Sequence, residues 1–425
     1  MDLIDLTTDT QFHQSTWIGT GKKFAHPLPQ AVYNKKREVL KVPNFLLTKL
    51  PTSVVLIHEF IHHPLPPQSS SFDFHHTVEW FSTGTPSTSP EVLLTRPIPP
   101  ENVLKNLDSA VGQMWFDGKT SIVDPRFNNC AERFPLWVLS LWKEIQTMIK
   151  NQKRWKSSVS WLELATHPHD IVTQAKYLIK WLPWNKLLLS GLSSTLDFAG
   201  FLGVSWLSDT QINMMVDVLQ DRMKTNEHTK GAHIEPLTLS WELAAVGNGW
   251  KDPLTSSYLS RLAGKVQAGV TAIWFPINVD DNHWIAGRVD FENHAIEFGE
   301  LQIYTARGGK GLLVLGDSRT VSGAAPLPRD VLKGLREWFR KQFGTKLMNM
   351  GNTLKRPRQT NTYSCAICVM STIAHGIFGD PLWKQRNASA HRINWFLELN
   401  EYERPNIPAG PVSESYLCVS YAGHS

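Results

Sequence analysis

The stretch QTNTYSCAICVMSTIAH, Gln359 to His375, runs from a polar loop into an apolar helix with a cysteine at the junction, and its reading decides the rest of the chain. Asn361 and Ser364 are turn and cap formers, whereas Cys365, Cys368, Val369, Thr372 and Ile373 recur at the three-to-four spacing of one helix face. Ser364 is therefore expected at the N-cap and Cys365 in the first turn. Unpaired backbone N–H groups and the positive end of the helix dipole favour thiolate over thiol there. A cysteine so placed is a candidate nucleophile, although taken alone it is more often a small apolar residue of a core helix.

A thiolate nucleophile needs a base beside it and a donor for the oxyanion. The best base is His283, in TAIWFPINVDDNHWIAGRVDFENHAIEFG. Ile273 to Ile277 reads as a strand, Asn278 to Asn282 as a turn, Trp284 to Phe291 as a second strand and His294 to Phe298 as a third. A tight turn at Glu292-Asn293 pairs Phe291 with His294 and so puts residue 302 opposite His283. An acid near that point would reach the imidazole and set its tautomer.

Four elements in chain order carry a family resemblance: Trp-Leu-Ser-Asp at 206 to 209 followed by QINMMVDVL, His283-Trp284, Gly-Asp-Ser at 316 to 318, and Gln359 six residues before Cys365. From near Ser190 to about Leu399 the chain resembles the ubiquitin-like protein proteases, the SUMO-specific cysteine proteases with a papain-like core. Their pattern is Trp-Leu-Asn-Asp, His-Trp, Asp-Ser and Gln-x-Asn-x-x-Asp-Cys-Gly. The resemblance implies Cys365 as nucleophile, His283 as base and Gln359 as oxyanion donor. It implies Trp284 and Trp206 as roof and wall of a narrow tunnel, and Asp209 as a contact to a basic residue of the modifier. A diglycine tail has no side chains to grip, so a slot between flat indoles selects it by exclusion.

Ser364 stands where the family has aspartate and Ala366 where it has glycine. A serine caps about as well as an aspartate, and alanine is the better helix former. The third departure is larger, because the family's spacing from the histidine lands on Glu300, whereas its Asp-Ser signature sits at Asp317-Ser318. Removing ELQIYTARGGKGLLVLG, residues 300 to 316, would restore both at once. That segment reads as an insertion, and our hypothesis is a retained short intron, since Gly299-Glu300 can be encoded by an intron-donor sequence. Reading the transcript across the junction tests it: a majority of molecules carrying the segment would refute it. Asp317 is the expected triad acid, with Glu300 as the alternative.

At 425 residues the chain has room for two or three domains. With 42% hydrophobic and 19% charged residues it reads as globular rather than disordered. A net charge of +5 with a pI near 8.9 is mild and comes with no long Lys/Arg run, so no nucleic-acid face is expected. Four cysteines imply a reducing compartment rather than a disulfide framework. MDLIDLTTDTQFHQ has no apolar h-region and no run of 18 apolar residues occurs, so neither a secretory signal nor a membrane partner is expected. A nuclear or cytoplasmic location and a monomer are the expectations, and no cofactor is implied.

The main rival motif is His58-Glu59-Phe60-Ile61-His62, an HExxH zinc pattern that would make the chain a metalloprotease, with His75 or His76 as a further ligand. Val54 to Ile57 before it is β-like, and Pro64, Pro66 and Pro67 stop any helix just past it; no metal site is assigned. The runs FDFHHTVEWF and EVLLT are candidate strands between Pro/Ser-rich loops, and the signal is helical from Asn129 to about Lys180, with the stripe Phe134, Trp137, Val138, Leu141, Trp142, Ile145 and Ile149. Cys365-Ala366-Ile367-Cys368 is formally a CxxC, but no second one completes a zinc site, and Cys368 reads as core. Pro328 to Phe343 reads as a helix closed by Gly344, with Val331, Leu332, Leu335, Trp338, Phe339 and Phe343 on one face, and the last helix runs through HRINWFLELNEY.

The expected class is α+β, a papain-like core in which the nucleophile-bearing helix packs on a mixed or antiparallel sheet, with a mainly helical N-terminal region. Residues 1–195 read as an accessory region, 196–405 as the catalytic domain and 406–425 as a loose tail. The resemblance implies a thiol protease that processes or deconjugates SUMO or a related ubiquitin-like modifier. The alternative is a catalytically impaired module that binds the modifier.

Overall fold

Turn residues and prolines crowd the first hundred positions, and the elements there are short. The computed structural model describes residues 30–69, 77–126, 132–164, 166–188, 191–229, 231–281, 283–299, 327–359 and 361–403. Two compact units, 1–156 and 157–425, make up the chain.

The first unit begins with α1 (Gln30–Val39) and two single turns, α2 (Asn44–Leu47) and α3 (Ile57–Phe60). A two-residue strand β1 (Phe81–Ser82) precedes α4 (Glu101–Phe116), which starts after Pro100 and buries Val103, Leu104, Leu107, Val111 and Trp115. β2 (Ser121–Val123) and β3 (Arg133–Pro135) complete an antiparallel sheet of order β1-β2-β3, and α5 (Val138–Leu162) follows.

Three expectations change here. EVLLT is not a strand: Pro90 opens a 3-10 helix over Pro90–Leu94, because a fixed proline φ suits the first turn of a helix and removes a ladder donor. Of FDFHHTVEWF, the described part is a 3-10 turn, Thr77–Trp80, with only Phe81 in a strand. The helical region starts late, because Arg133–Pro135 pairs with β2 first.

The second unit opens with α6 (His169–Trp181), the short α7 (Thr195–Phe198) and α8 (Asp209–Lys224). Ser208 caps α8 in a capping box with Gln211, as a serine three residues before a glutamine allows. β4 (Ala232–Ile234), α9 (Thr238–Gly247), α10 (Ser257–Gln267), β5 (Ala272–Val279), β6 (His283–Asp290) and β7 (Ala295–Gly299) follow. After them come α11 (Arg329–Trp338), β8 (Met348–Gly351), α12 (Cys365–Phe378) and α13 (Ala388–Glu403).

The sheet order is β4-β5-β6-β7-β8, antiparallel at its centre and parallel at both outer pairings. The expected register holds, since Asp290 faces Ala295 and Ala286 faces Gly299. Position 302 itself lies outside the described residues.

Strand alternation sends β5 side chains to both faces of the sheet. Ile273, Phe275 and Ile277 join a buried cluster with Leu239 and Leu243 of α9, Leu259 and Leu262 of α10, and Leu335 and Trp338 of α11. Trp274 points the other way, onto α12, where a Cβ at Gly376 would come within 2.2 Å of its ring. The helix α12 therefore packs closely on the sheet because residue 376 has no side chain. α11 runs on into one turn of π-helix, Phe339–Phe343, before Gly344 ends it at φ 67°. Its aromatic face is the one read from the sequence, and the class is α+β.

At the β4 edge, Glu235 is buried among His233, Tyr258, Lys265 and Arg261, with Oε1 2.6 Å from His233 Nε2 and 3.0 Å from Lys265 Nζ. Burial alone would raise its pKa, but the hydrogen bonds from His233, Tyr258 and Lys265 outweigh it and bring the carboxyl down to about 2. Because the folded value lies below the ordinary 4.5, the stability it contributes is full above that pH and is lost as pH falls through about 2. Glu235→Gln is expected to remove roughly 3 kcal/mol at pH 7 and to flatten the acid limb of a pH-dependent thermal-melting series. An unchanged acid limb would refute the assignment.

Candidate functional site

The site is assembled where α12 begins against the start of β6. Asn361 Oδ1 accepts from the backbone N–H groups of Tyr363 (3.2 Å) and Ser364 (3.0 Å), which bends the polar loop into the helix. Ser364 occupies the N-cap, but its hydroxyl makes no capping bond and is buried without a partner among the described residues. The expected serine cap is thus not made, and Asn361 instead holds the two amides of the turn just before the helix. Cys365 is the first residue of the helix and 1% exposed.

Toward the Cys365 sulfur point the backbone amides of Trp284, Ala366 and Cys365 itself. The Trp284 amide ties α12 to the residue after His283, so the sulfur and the imidazole-bearing turn meet although they are far apart in sequence. His283 is partly buried, its pKa is lowered by desolvation, and its Nε2 is buried with no hydrogen-bond partner among the described residues. Asp317 and Glu300, the two expected acids, both lie outside the described residues, as does the segment 300–316.

The expectation of a thiolate favoured by the helix end is corrected. Burial pushes the Cys365 thiol up to about 11, and the three amides only partly offset it. A full helix dipole is worth about 1 kcal/mol at an exposed end, less than the desolvation of a sulfur anion enclosed by the sheet. Cys368, one turn on, is fully buried and its thiol is likewise raised by desolvation, as fits a core residue. Iodoacetamide alkylation of Cys365, followed by peptide mass spectrometry, is therefore expected to rise about tenfold per pH unit from pH ~7 to ~9.5 without levelling. A plateau below pH ~8 would show a preformed thiolate–imidazolium pair instead.

Gln359 is fully buried; its Nε2 donates to the Asn361 carbonyl at 2.5 Å, and its Oε1 has no partner among the described residues. Trp284 is 3% exposed, and its indole N–H donates to the Leu207 carbonyl at 3.3 Å, which brings the Trp206–Asp209 loop beside β6. Trp206 is 41% exposed, and Asp209 is exposed at the first position of α8.

The rival zinc motif is not built as a zinc helix. α3 is one turn long, His58 and Glu59 lie on it exposed, and His62 falls beyond its end. His75, His76 and Cys130 lie outside the described residues.

Arg392 was not singled out from the sequence. It is 1% exposed on α13, with Nη2 2.6 Å from the Gly200 carbonyl and 2.8 Å from that of Ser205, and Nε 3.2 Å from that of Phe201. The signal available was an arginine at helical spacing with Ile393, Phe396 and Leu399, which a pattern alone reads as a solvated charge.

No protein-family model matches the chain, and no curated protein matches it in sequence. Among solved structures the chain is similar to Ulp1-like SUMO protease catalytic domains. One is the SUMO protease Ulp1 with its catalytic cysteine oxidised to a sulfinic acid, at 16% identity and TM-score 0.35 over 57% of this chain and 94% of the other. A second is the Chaetomium thermophilum Ulp1-like SUMO protease catalytic domain, at 14% identity and TM-score 0.36 over 55% and 90%. A third is the Xanthomonas campestris effector protein XopD bound to ubiquitin, at 14% identity and TM-score 0.29 over 45% and 91%.

Proposed function

We propose that the chain is a thiol protease that cleaves after the C-terminal diglycine of SUMO or a related ubiquitin-like modifier, in maturation or in isopeptide deconjugation. The observation that carries this reading is the packing of the α12 start, where Cys365 lies, on β6, with the Trp284 backbone amide, one residue past His283, on the side of the sulfur. His283 takes the thiol proton as Sγ attacks the carbonyl carbon, and returns it to the leaving amine. Water, deprotonated by the same imidazole, then hydrolyses the thioester. Gln359 Nε2 and the Cys365 backbone N–H hold the oxyanion, Trp206 and Trp284 flank the diglycine, and Asp209 meets a basic residue of the modifier. Asp317, or Glu300 in its place, is the acid for the unpartnered His283 Nε2.

A panel of modifiers bearing a C-terminal electrophile on the diglycine tests this. Covalent capture at Cys365 is the expected result, and a panel of fluorogenic modifier substrates then ranks the modifiers. The second reading, an impaired module that binds a modifier without cutting it, is favoured by the raised Cys365 thiol. Binding of a modifier with no adduct at Cys365 selects that reading.

A further inference from the structure

A buried guanidinium without a carboxylate is unusual, because removing its charge from water is expensive unless paired. Among the described residues Arg392 forms no ion pair; its donors go to backbone carbonyls at Gly200, Phe201 and Ser205 and, at 3.5 Å, at Tyr363. Its carbon lies 5.9 Å from the centroid of the Tyr363 ring. The carbonyls belong to two segments that the site needs: the loop that delivers Trp206, and the turn two residues before Cys365. The groups that favour its charge are Tyr363 first and then the Cys365 sulfur, the latter only once the thiol has lost its proton.

We propose that Arg392 is a positioning residue of the thiol site: its buried fork holds the 200–205 loop against the turn before Cys365, and its charge stabilises the Cys365 thiolate once formed. This rests on the reading of Cys365 as nucleophile, and it concerns the sulfur rather than the modifier. The other titratable groups around the sulfur are His283, next to Trp284 on β6, and Cys368 on its own helix. Neither supplies a positive charge at neutral pH: burial lowers the His283 pKa, which favours the neutral imidazole, and a thiol carries no positive charge in either form. Desolvation brings the guanidinium pKa down to about 10, which leaves it charged at neutral pH. An amine in its place would carry charge but not the planar fork that spans several carbonyls.

The test reads iodoacetamide alkylation of Cys365 at pH ~8 in the full chain, with no modifier present. Arg392→Gln and Arg392→Met are expected to lower the rate about tenfold, the effect of one pKa unit from a lost neighbouring charge. Arg392→Lys is expected to lower it about threefold, because the charge remains but is less well held. Thermal melting identifies which variants fold. A folded neutral variant alkylated at the wild-type rate overturns the proposal; if neither neutral variant folds, Arg392→Lys reacting at the wild-type rate overturns it. If these rates shift as expected while no modifier is cleaved by the wild type, Arg392's role stands and the protease reading alone fails.

Discussion

Cys365→Ala is expected to abolish covalent capture by a diglycine electrophile and to lower turnover of a modifier substrate by about 10⁴-fold or more, the scale seen when the nucleophile of a catalytic set is removed. The chain should fold normally, because residue 365 is a small buried position at a helix start, where alanine is well tolerated. That contrast matters. If the cysteine served only as core, the substitution would leave any activity intact. If it is the attacking group, activity disappears from a protein whose melting temperature hardly moves. Cys368→Ala is the matched control: Cys368 is fully buried and out of reach of substrate, so it should retain activity while losing a little stability to a small cavity. Equal residual activity in the two variants would refute the assignment of Cys365.

Gly334→Ala should destabilise the second unit by about 3 kcal/mol or more, at the upper end of overpacking effects. A Cβ at residue 334 of α11 would sit 1.8 Å from the Leu243 carbonyl oxygen of α9, and one at Gly247 of α9 would sit 1.9 Å from the Asp330 carbonyl oxygen of α11. Both contacts are with backbone, which no rotamer change relieves, so the helices must separate. Separation loosens the cluster in which Trp338 and Leu335 pack on Phe275 and Ile277 beneath β5 and β6. Urea unfolding of Gly334→Ala, with Gly264→Ala as comparison, tests this. Gly264 lies in a helix with open space around it, so alanine there should be neutral or slightly stabilising. Equal midpoints for the two variants would show that α9 and α11 are not held at backbone contact.

Much of this architecture is local in origin. The β6–β7 register follows from the strict period of the strands and holds although the turn takes four residues, 291–294, rather than the expected two, so Asp290 opposite Ala295 needed no tertiary information. The bounds of α11 and its aromatic face follow from Pro328, Gly344 and helical spacing in the same way. The short strands before residue 136 were misread because two- and three-residue strands carry no period, and Pro90 and Ser89 compete locally for a turn.

The sequence by itself determined which residues form the loop-to-helix junction at Cys365, the hairpin that carries His283, and the capped start of α8 at Asp209, because caps, turns and periodicity act within a few residues. Only the tertiary structure decided the charge state of the site. The Cys365 sulfur is raised by desolvation, and it is faced by the Trp284 amide and by Arg392 on α13, all supplied by segments distant in the chain. Solvent exclusion is a property of everything packed around an atom, so neither the thiol's protonation nor the burial of that guanidinium can be read from neighbours in sequence.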